Sequence, residues 1–298
     1  MERKILDTLF TRVMFVLAFL ISLITVVIAL ILVLKSLPLF QISSISELLF
    51  TSIWQPAEGK FGFYPFIMGT IWVTLLSMAI AIPLALLSSI YLAEYAPRHI
   101  RNAIKPLIDL LAGIPSILFG LWGILVIVPL VRNDIAPLYG ISTTGYCVLS
   151  GGIVLSFMVL PIIISLSDEL FRTVPLSTRS ASFAMGATKW QTVKYVLIRK
   201  IYPGLLAAII LGFSRAFGET MAVLMVVGNV AKVPSSVFDP AYPLPALIAN
   251  NYGEMLSIPL YDSALMFAAL ILFCIVVLFN ISAKMLLMRF QIEGVRHE

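Results

Sequence analysis

Six long apolar stretches limit what this chain can fold into more than any other feature. Each has enough residues, at about 1.5 Å per residue in a helix, to cross a hydrocarbon core about 30 Å thick. Only 12% of the residues are charged, against about 25% in soluble domains. The sequence therefore predicts an all-α membrane protein with six transmembrane helices. The predicted spans are residues 13–34, 66–92, 107–131, 147–166, 203–228 and 263–287.

The basic residues between these spans predict the orientation of the chain. The two termini and the second and fourth connecting segments together contain 14 Lys and Arg, whereas the other three connections contain 4. Because basic residues concentrate on the cytoplasmic side of a membrane, we expect both termini and residues 167–202 to be cytoplasmic. This placement accounts for the net charge of +5 without a nucleic-acid partner.

Two charged residues, Arg215 and Glu219, lie inside the predicted fifth span. A continuous helix over residues 203–228 would place Arg215 near the middle of the membrane, where a charge costs roughly 2.5–3.5 kcal/mol. Such a residue faces protein or water, and it is a candidate functional residue. Glu219 follows four positions later, on the same face of that helix. The alternative is a structural ion pair that joins two helices, although an Arg that precedes a Glu is the weaker order for such a pair.

The polar segment 167–202 is the longest connection between two spans. Pro175 and Ser177 predict a helix start, and Gly186 predicts the left-handed residue that follows a helix end. A short helix that projects from the membrane suits insertion into a groove of another protein. The alternative is a helix that lies on the membrane surface with basic flanks. The candidate contact residues are Ala181, Ala184, Met185, Gly186, Ala187 and Trp190.

The same segment resembles the EAA loop of ABC importer permeases. That motif is E-A-A-x3-G-x9-I-x-L-P, and this chain has Ser-Ala-Ser at 180–182, Gly186, and Val-Leu-Ile at 196–198. Ser180 stands in place of the usual Glu, Ser182 in place of Ala, and Arg199 in place of Pro. The spacing to Gly186 and the run Gly-Ala-Thr-Lys-Trp-Gln-Thr are very similar to family members.

Three more segments extend the resemblance over nearly the whole chain. Residues 54–70 resemble the entry to the second span of phosphate permeases, residues 113–123 their third span, and residues 215–223 their fifth. Together they resemble the C-type permease subunits of phosphate-specific transport (Pst) importers, among the inner-membrane components of binding-protein-dependent transport systems. The segment from Arg215 to Val223 is the most specific of the three.

The resemblance implies a type I ABC importer permease fold in a prokaryotic cytoplasmic membrane. Residues 1–65 are expected to form a first transmembrane helix and an extracytoplasmic segment, and residues 66–290 the transmembrane core with the coupling loop 167–202. The implied partners are a second, related permease, a dimer of cytoplasmic ATP-binding subunits, an extracytoplasmic phosphate-binding protein, phosphate and membrane lipid. ATP and Mg²⁺ are expected in the ATPase rather than in this chain. The implied substrate pathway contains Arg215, Glu219, Thr220 and Ser116.

Other functions remain as alternatives. A permease for another oxyanion, such as molybdate or sulfate, fits the same features, and so does a secondary transporter driven by an ion gradient. A membrane scaffold would leave the intramembrane charges unexplained. The sequence contains neither a GxxxxGK[ST] phosphate-binding loop nor Cys and His at metal-ligand spacing. A catalytic role and a resident metal are therefore not expected.

Overall fold

The computed structural model describes residues 2–254 and 258–295, with side chains for residues 10–254 and 258–285. Among these residues, six helices are long and apolar enough to cross a membrane, which confirms the predicted fold class. A short hairpin pairs Trp54–Gln55 (β1) with Lys60–Phe61 (β2). The helices are α1 Glu2–Phe40, α2 Ile45–Phe50, α3 Tyr64–Tyr95, α4 Arg98–Gly113, α5 Ser116–Leu138, α6 Val148–Thr173, α7 Leu176–Ala184, α8 Lys189–Gly218, α9 Met221–Val226, α10 Leu244–Asn251 and α11 Tyr261–Val295.

The centre of the bundle is α6, which contacts α3, α4, α5, α8 and α9. The pair α3 and α6 runs in the same direction and packs closely. A Cβ atom at Gly152 would lie only 2.8 Å from a methyl group of Leu76, so a side chain there would push the two helices apart. We call the end of the bundle where α3 and α6 finish and α8 begins the basic end. The opposite end is the loop end.

The predicted third span at residues 107–131 is wrong in its bounds. The helix breaks after Gly113, and the membrane-spanning helix is α5, Ser116–Leu138. Pro115 explains the break, because a residue before proline is driven out of the helical region, and Ile114 is extended at ψ 129°. The preceding α4 is amphipathic and contains no buried residue.

The predicted fifth span at residues 203–228 is also wrong as a single helix. The spanning helix α8 begins earlier, at Lys189, and ends at Gly218. Residue Glu219 is extended, with φ −72° and ψ 129°, and a separate short helix, α9, follows from Met221 to Val226. The apolar pattern runs on through both helices, so periodicity alone does not reveal the break.

The N-terminal helix α1 packs only partly against the rest of the chain. Most of its side chains from Phe10 onward are exposed, and its most extensive contact is with α11. At the loop end the hairpin, α3 and α11 share an aromatic cluster centred on Trp54, whose ring lies 4.8 Å from Phe66 and 5.4 Å from Phe63. The proposed division of the chain at residue 65 stays a prediction.

Candidate functional site

The break between α8 and α9 places a carboxylate at a helix start within the membrane-spanning bundle. The Glu219 Oε1 atom accepts the backbone N–H groups of Thr220 at 3.1 Å and Ala222 at 3.3 Å. The Thr220 hydroxyl donates to the carbonyl oxygen of Gly218 at 3.3 Å. The first N–H groups of a helix have no partner inside the helix, and here a side chain supplies one. Glu219 therefore stabilises the interruption of the helix.

This geometry corrects the predicted placement of Arg215 and Glu219 on one helical face. The two residues do not share one helical face, because the helix ends at Gly218 and Glu219 turns away to α9. Among the side chains that the structure describes, none forms an ion pair with Arg215. The Arg215 side chain is exposed. The structural ion pair between these residues is therefore also wrong.

Arg215 lies close to the middle of the bundle. A Cβ atom at Gly212 would meet Ile163 at 2.8 Å and Val159 at 3.1 Å, and both residues are near the midpoint of α6. Arg215 is one turn of α8 further toward the loop end. Its depth in the membrane stays a prediction, and its predicted partner Glu219 lies beyond the end of the helix.

The face of α8 around Arg215 includes residues with small side chains. Ala207, Leu211 and Gly218 are exposed on it, and a Cβ atom at Gly218 would meet no atom within 4 Å. On one flank the Ser214 hydroxyl donates to Asn280 Oδ1 of α11 at 2.9 Å. Polar and small groups at this depth are typical of a surface that faces protein or water rather than lipid.

Behind Glu219 the chain is almost closed. A cavity of about 10 Å³ separates Glu219 from α3 and α6, and its lining includes Thr70, Thr74 and Leu155. This space holds about one water molecule. A solute therefore has no room inside this subunit at that point, whereas the opposite side, which carries Arg215, is open.

Ser116, the remaining residue of the predicted pathway, is the first residue of α5 and is partly exposed. Its helix packs on α9, since a Cβ atom at Gly120 would lie 3.2 Å from Ala222 Cα. Ser116 therefore belongs to the helix that supports the break.

At the basic end, α7 and the turn after it form an exposed projection. The helix runs from Leu176 to Ala184, and Gly186 has φ +84°, so the structure contains the turn that the sequence indicated. The chain then enters α8 through a capping box, in which Thr188 and Gln191 exchange side-chain and backbone hydrogen bonds. Met185 is 89% exposed at the tip.

A groove of about 680 Å³ runs between α7 and the start of α8. Four of its lining residues were missing from the sequence prediction. Thr178 and Ser182 lie three positions before and one position after Ala181, and this spacing would have indicated both residues. The Thr-x-x-Gln capping pattern would have indicated Gln191. Ala184 and Trp190, which were predicted, lie outside the groove. Its lining is Thr178, Ala181, Ser182, Met185, Gly186, Ala187, Gln191 and Val196.

Comparison with known families identifies this architecture. Residues 81–291 match the family described as binding-protein-dependent transport system inner membrane component. The chain belongs to this family. It is therefore a permease subunit, and the region matched includes α7, the groove, Arg215 and the break after α8.

Curated relatives of the chain are also permease proteins. The probable ABC transporter permease protein YqgH of Bacillus subtilis is 42% identical over 74% of this chain and 71% of its own length. The phosphate transport system permease protein PstC of Xylella fastidiosa is 36% identical over 80% and 78%. The probable PstC of Methanocaldococcus jannaschii is 34% identical over 84% of each chain.

Solved structures place the permease in the type I ABC importer fold. A chain of the inward-facing MetNI methionine ABC transporter matches with a TM-score of 0.57 at 19% identity, over 74% of this chain and 93% of that chain. A chain of a bacterial ABC transporter for the acidic polysaccharide alginate matches with a TM-score of 0.52 at 14% identity, over 76% and 79%. At these identities the likeness concerns the fold.

Proposed function

We propose that this permease carries inorganic phosphate across the cytoplasmic membrane in an ATP-driven importer. The names of its PstC relatives support the substrate. The observation that carries the proposal is the position of Arg215, exposed near the middle of the bundle and without an ion-pair partner among the described side chains. A cation in that position is costly unless an anion or water meets it.

Guanidinium chemistry fits this role. The planar side chain of Arg215 offers paired N–H donors that match two oxygens of one phosphate. Phosphate would otherwise have to leave water as a free anion, which costs far more than a hydrogen-bonded transfer. Glu219 does not neutralise Arg215 in this mechanism. It stabilises the end of α8 beside the pathway. Thr220 and Ser116 lie at or near the break between α8 and α9.

The partners follow from the surfaces that this subunit leaves uncovered. A second, related permease is expected against the α8 face that carries Arg215, so that the pathway forms between two subunits. An ATPase dimer, which binds ATP and Mg²⁺, is expected to insert into the groove beside α7. A phosphate-binding protein is expected at the loop end. This arrangement places both termini and the basic end in the cytoplasm, in agreement with the distribution of basic residues.

The test is phosphate uptake by the complete complex in proteoliposomes. We expect Arg215→Gln to abolish uptake while all partners still co-purify, because the side chain keeps its polarity but loses its charge and fork. Arg215→Lys keeps the charge and should retain part of the activity. Arg12→Gln, which changes an exposed cation on α1, is the matched control and should be normal.

Three outcomes would contradict the proposal. Normal uptake by Arg215→Gln would remove this residue from the pathway. Uptake of molybdate or sulfate in place of phosphate by the unaltered complex would assign a different oxyanion, and uptake that persists without ATP would indicate a secondary transporter.

A further inference from the structure

One arginine joins three helices at the basic end. Arg179 of α7 donates from Nη2 to Glu94 Oε1 at 2.6 Å and from Nε to the same oxygen at 3.1 Å. The same side chain donates to the carbonyl oxygens of Phe171 at 2.8 Å and of Val174. Glu94 ends α3, Phe171 is in the last turn of α6, and Val174 follows α6. Arg179 therefore connects α7 to the ends of both central helices.

The Arg179–Glu94 contact is shielded from water. The Arg179 side chain is 14% exposed and that of Glu94 is 9% exposed. Removal of one partner from such a pair leaves a buried charge without compensation, which makes the pair costly to break. The Asp168–Arg172 pair nearby differs, since both residues belong to α6 and Arg172 is 39% exposed. That pair cannot connect two helices.

The end of α3 is built to hold Glu94 in place. The last turn, Tyr91–Tyr95, is a wider helical turn that closes with the Ala96 N–H on the Tyr91 carbonyl oxygen. Arg101 of α4 donates to the carbonyl oxygen of Leu92 at 2.7 Å and to that of Ala93. Wide turns of this kind are frequent at functional positions in helices. The acceptor for Arg179 is thus fixed independently of α7.

The rest of α7 is attached weakly. Among the described residues, its other side-chain hydrogen bond to the bundle joins the hydroxyls of Ser182 and Thr192 at 2.9 Å, and none of its residues is buried. The backbone between α6 and α7 is two residues, Val174 and Pro175. Without Arg179, the links of α7 among the described residues would be the two-residue connection to α6, the turn at residues 185–188 and the hydroxyl contact to α8.

We propose that Arg179 is a positioning residue that transmits movement from α7 to α3 and α6. The inference rests on the proposed docking of an ATPase at α7. A displacement of the tip reaches the spanning helices only if α7 moves with them as one body. The paired hydrogen bonds of Arg179 provide that connection, because α7 has no buried residue that could pack against α3 or α6. Loss of these hydrogen bonds uncouples ATP hydrolysis from transport without removing the docking groove.

The first experiment measures phosphate imported per ATP hydrolysed by the reconstituted complex. Arg179→Gln should lower this ratio about tenfold, within the usual range of coupling between two sites, while hydrolysis and co-purification continue. Arg179→Lys, which keeps a charge toward Glu94 but cannot bridge to the carbonyl oxygens as well, should recover part of the ratio. Arg98→Gln is the matched control, because Arg98 is an exposed cation at the same end, and its ratio should be unchanged.

The second experiment does not depend on transport. A spin label at Met185→Cys, in a Cys274→Ser background because Cys274 is the exposed cysteine of the two, reports the mobility of the tip. The label should gain mobility in Arg179→Gln and also in Glu94→Gln, which removes the carboxylate charge alone. Because both residues act through one contact, the double variant should show little more label mobility than either single variant.

The outcomes separate the inference from the proposed function. If the unaltered complex imports no phosphate, the proposed function fails, and the label still decides whether Arg179 holds α7. An unchanged import ratio in Arg179→Gln would overturn the inference. If that variant does not assemble, an unchanged ratio and an unchanged label signal in Glu94→Gln would overturn it in the same way.

Discussion

At the scale of single residues, Arg215 and Glu219 have different roles because the backbone turns between them. Both are charged and four positions apart, yet the extended backbone at Glu219 directs its carboxylate to the N–H groups of Thr220 and Ala222. Arg215 stays on the open face of α8. Residues four positions apart are neighbours only within a continuous helix. The interruption therefore leaves the Arg215 guanidinium available to an anion.

Substitution of Glu219 tests its role as a helix cap. Glu219→Ala should lower the free energy of unfolding by about 1 kcal/mol, the usual effect of a lost cap. Glu219→Gln should lower it less, because an amide oxygen still accepts an N–H. Thermal unfolding of the purified subunit in detergent measures both. As a control, Glu58→Ala removes an exposed pair with Lys60 and should change stability by less than about 0.5 kcal/mol. Equal losses for Gln and Ala would indicate that the charge, rather than the acceptor, is what matters.

At the scale of elements, the turn after α7 depends on one glycine. Gly186 has φ +84°, and a Cβ atom there would meet no atom within 4 Å. A side chain is therefore disfavoured by the backbone conformation rather than by a clash. The turn carries Met185 and Ala187 into the groove, so its conformation decides what a partner meets at the basic end.

Two substitutions separate the strain at Gly186 from the docking surface. Gly186→Ala should cost about 1 kcal/mol in thermal unfolding, because only glycine adopts positive φ readily. Gly186→Leu adds bulk to the groove and should also reduce co-purification of the ATPase. Gly113→Ala is the control: Gly113 has open space and no positive φ, so stability should change by less than about 0.5 kcal/mol. Normal stability of Gly186→Ala would contradict the account of the turn.

At the scale of the whole molecule, the loop at residues 229–243 holds the loop end together. The carbonyl oxygens of Asp239 and Val237 accept the N–H groups of Val148 and Leu149, the first two residues of α6, at 2.9 and 2.8 Å. Leu244, directly after the loop, donates its N–H to the Thr70 hydroxyl of α3 at 2.9 Å. The loop thus supplies partners to the central helices and links α9 to α10.

The Asp239 carboxylate accepts hydrogen bonds that hold this loop, and we expect the molecule to lose stability in acid. Hydrogen bonds from the hydroxyl and N–H of Ser235 lower the pKa of Asp239 from its ordinary value of 3.8. Because the folded pKa is lower than the unfolded one, the stabilisation is complete above the ordinary value and is lost as the pH falls through the folded pKa. Thermal unfolding at about pH 5 and about pH 3 should show this loss.

The matched variants assign the acid sensitivity to this carboxylate. In Asp239→Asn the decrease in thermal stability between the two pH values should be smaller than in the unaltered chain, and Ser235→Ala should reduce it in part. An identical decrease in all three proteins would exclude Asp239 as its source.

Long apolar stretches were the reliable signal in this sequence, and interruptions inside them were not. Six spans were predicted and six are present among the described residues, but the third and fifth were misplaced. The Pro115 break could have been anticipated from the restriction that proline places on Ile114. The Glu219 break had no comparable signal, since glutamate is a good helix former. The Arg179–Glu94 contact joins residues 85 positions apart, and no local pattern contains it.

The sequence by itself determined the membrane class, the number of spans and the turn at Gly186. Each of these follows from local composition, length or backbone preference. Only the tertiary structure decided that Arg215 and Glu219 separate, that α8 ends at Gly218 and that Arg179 connects α7 to α3 and α6. These features depend on which hydrogen-bond partner a buried polar group finds in space, and distance along the chain does not specify that partner.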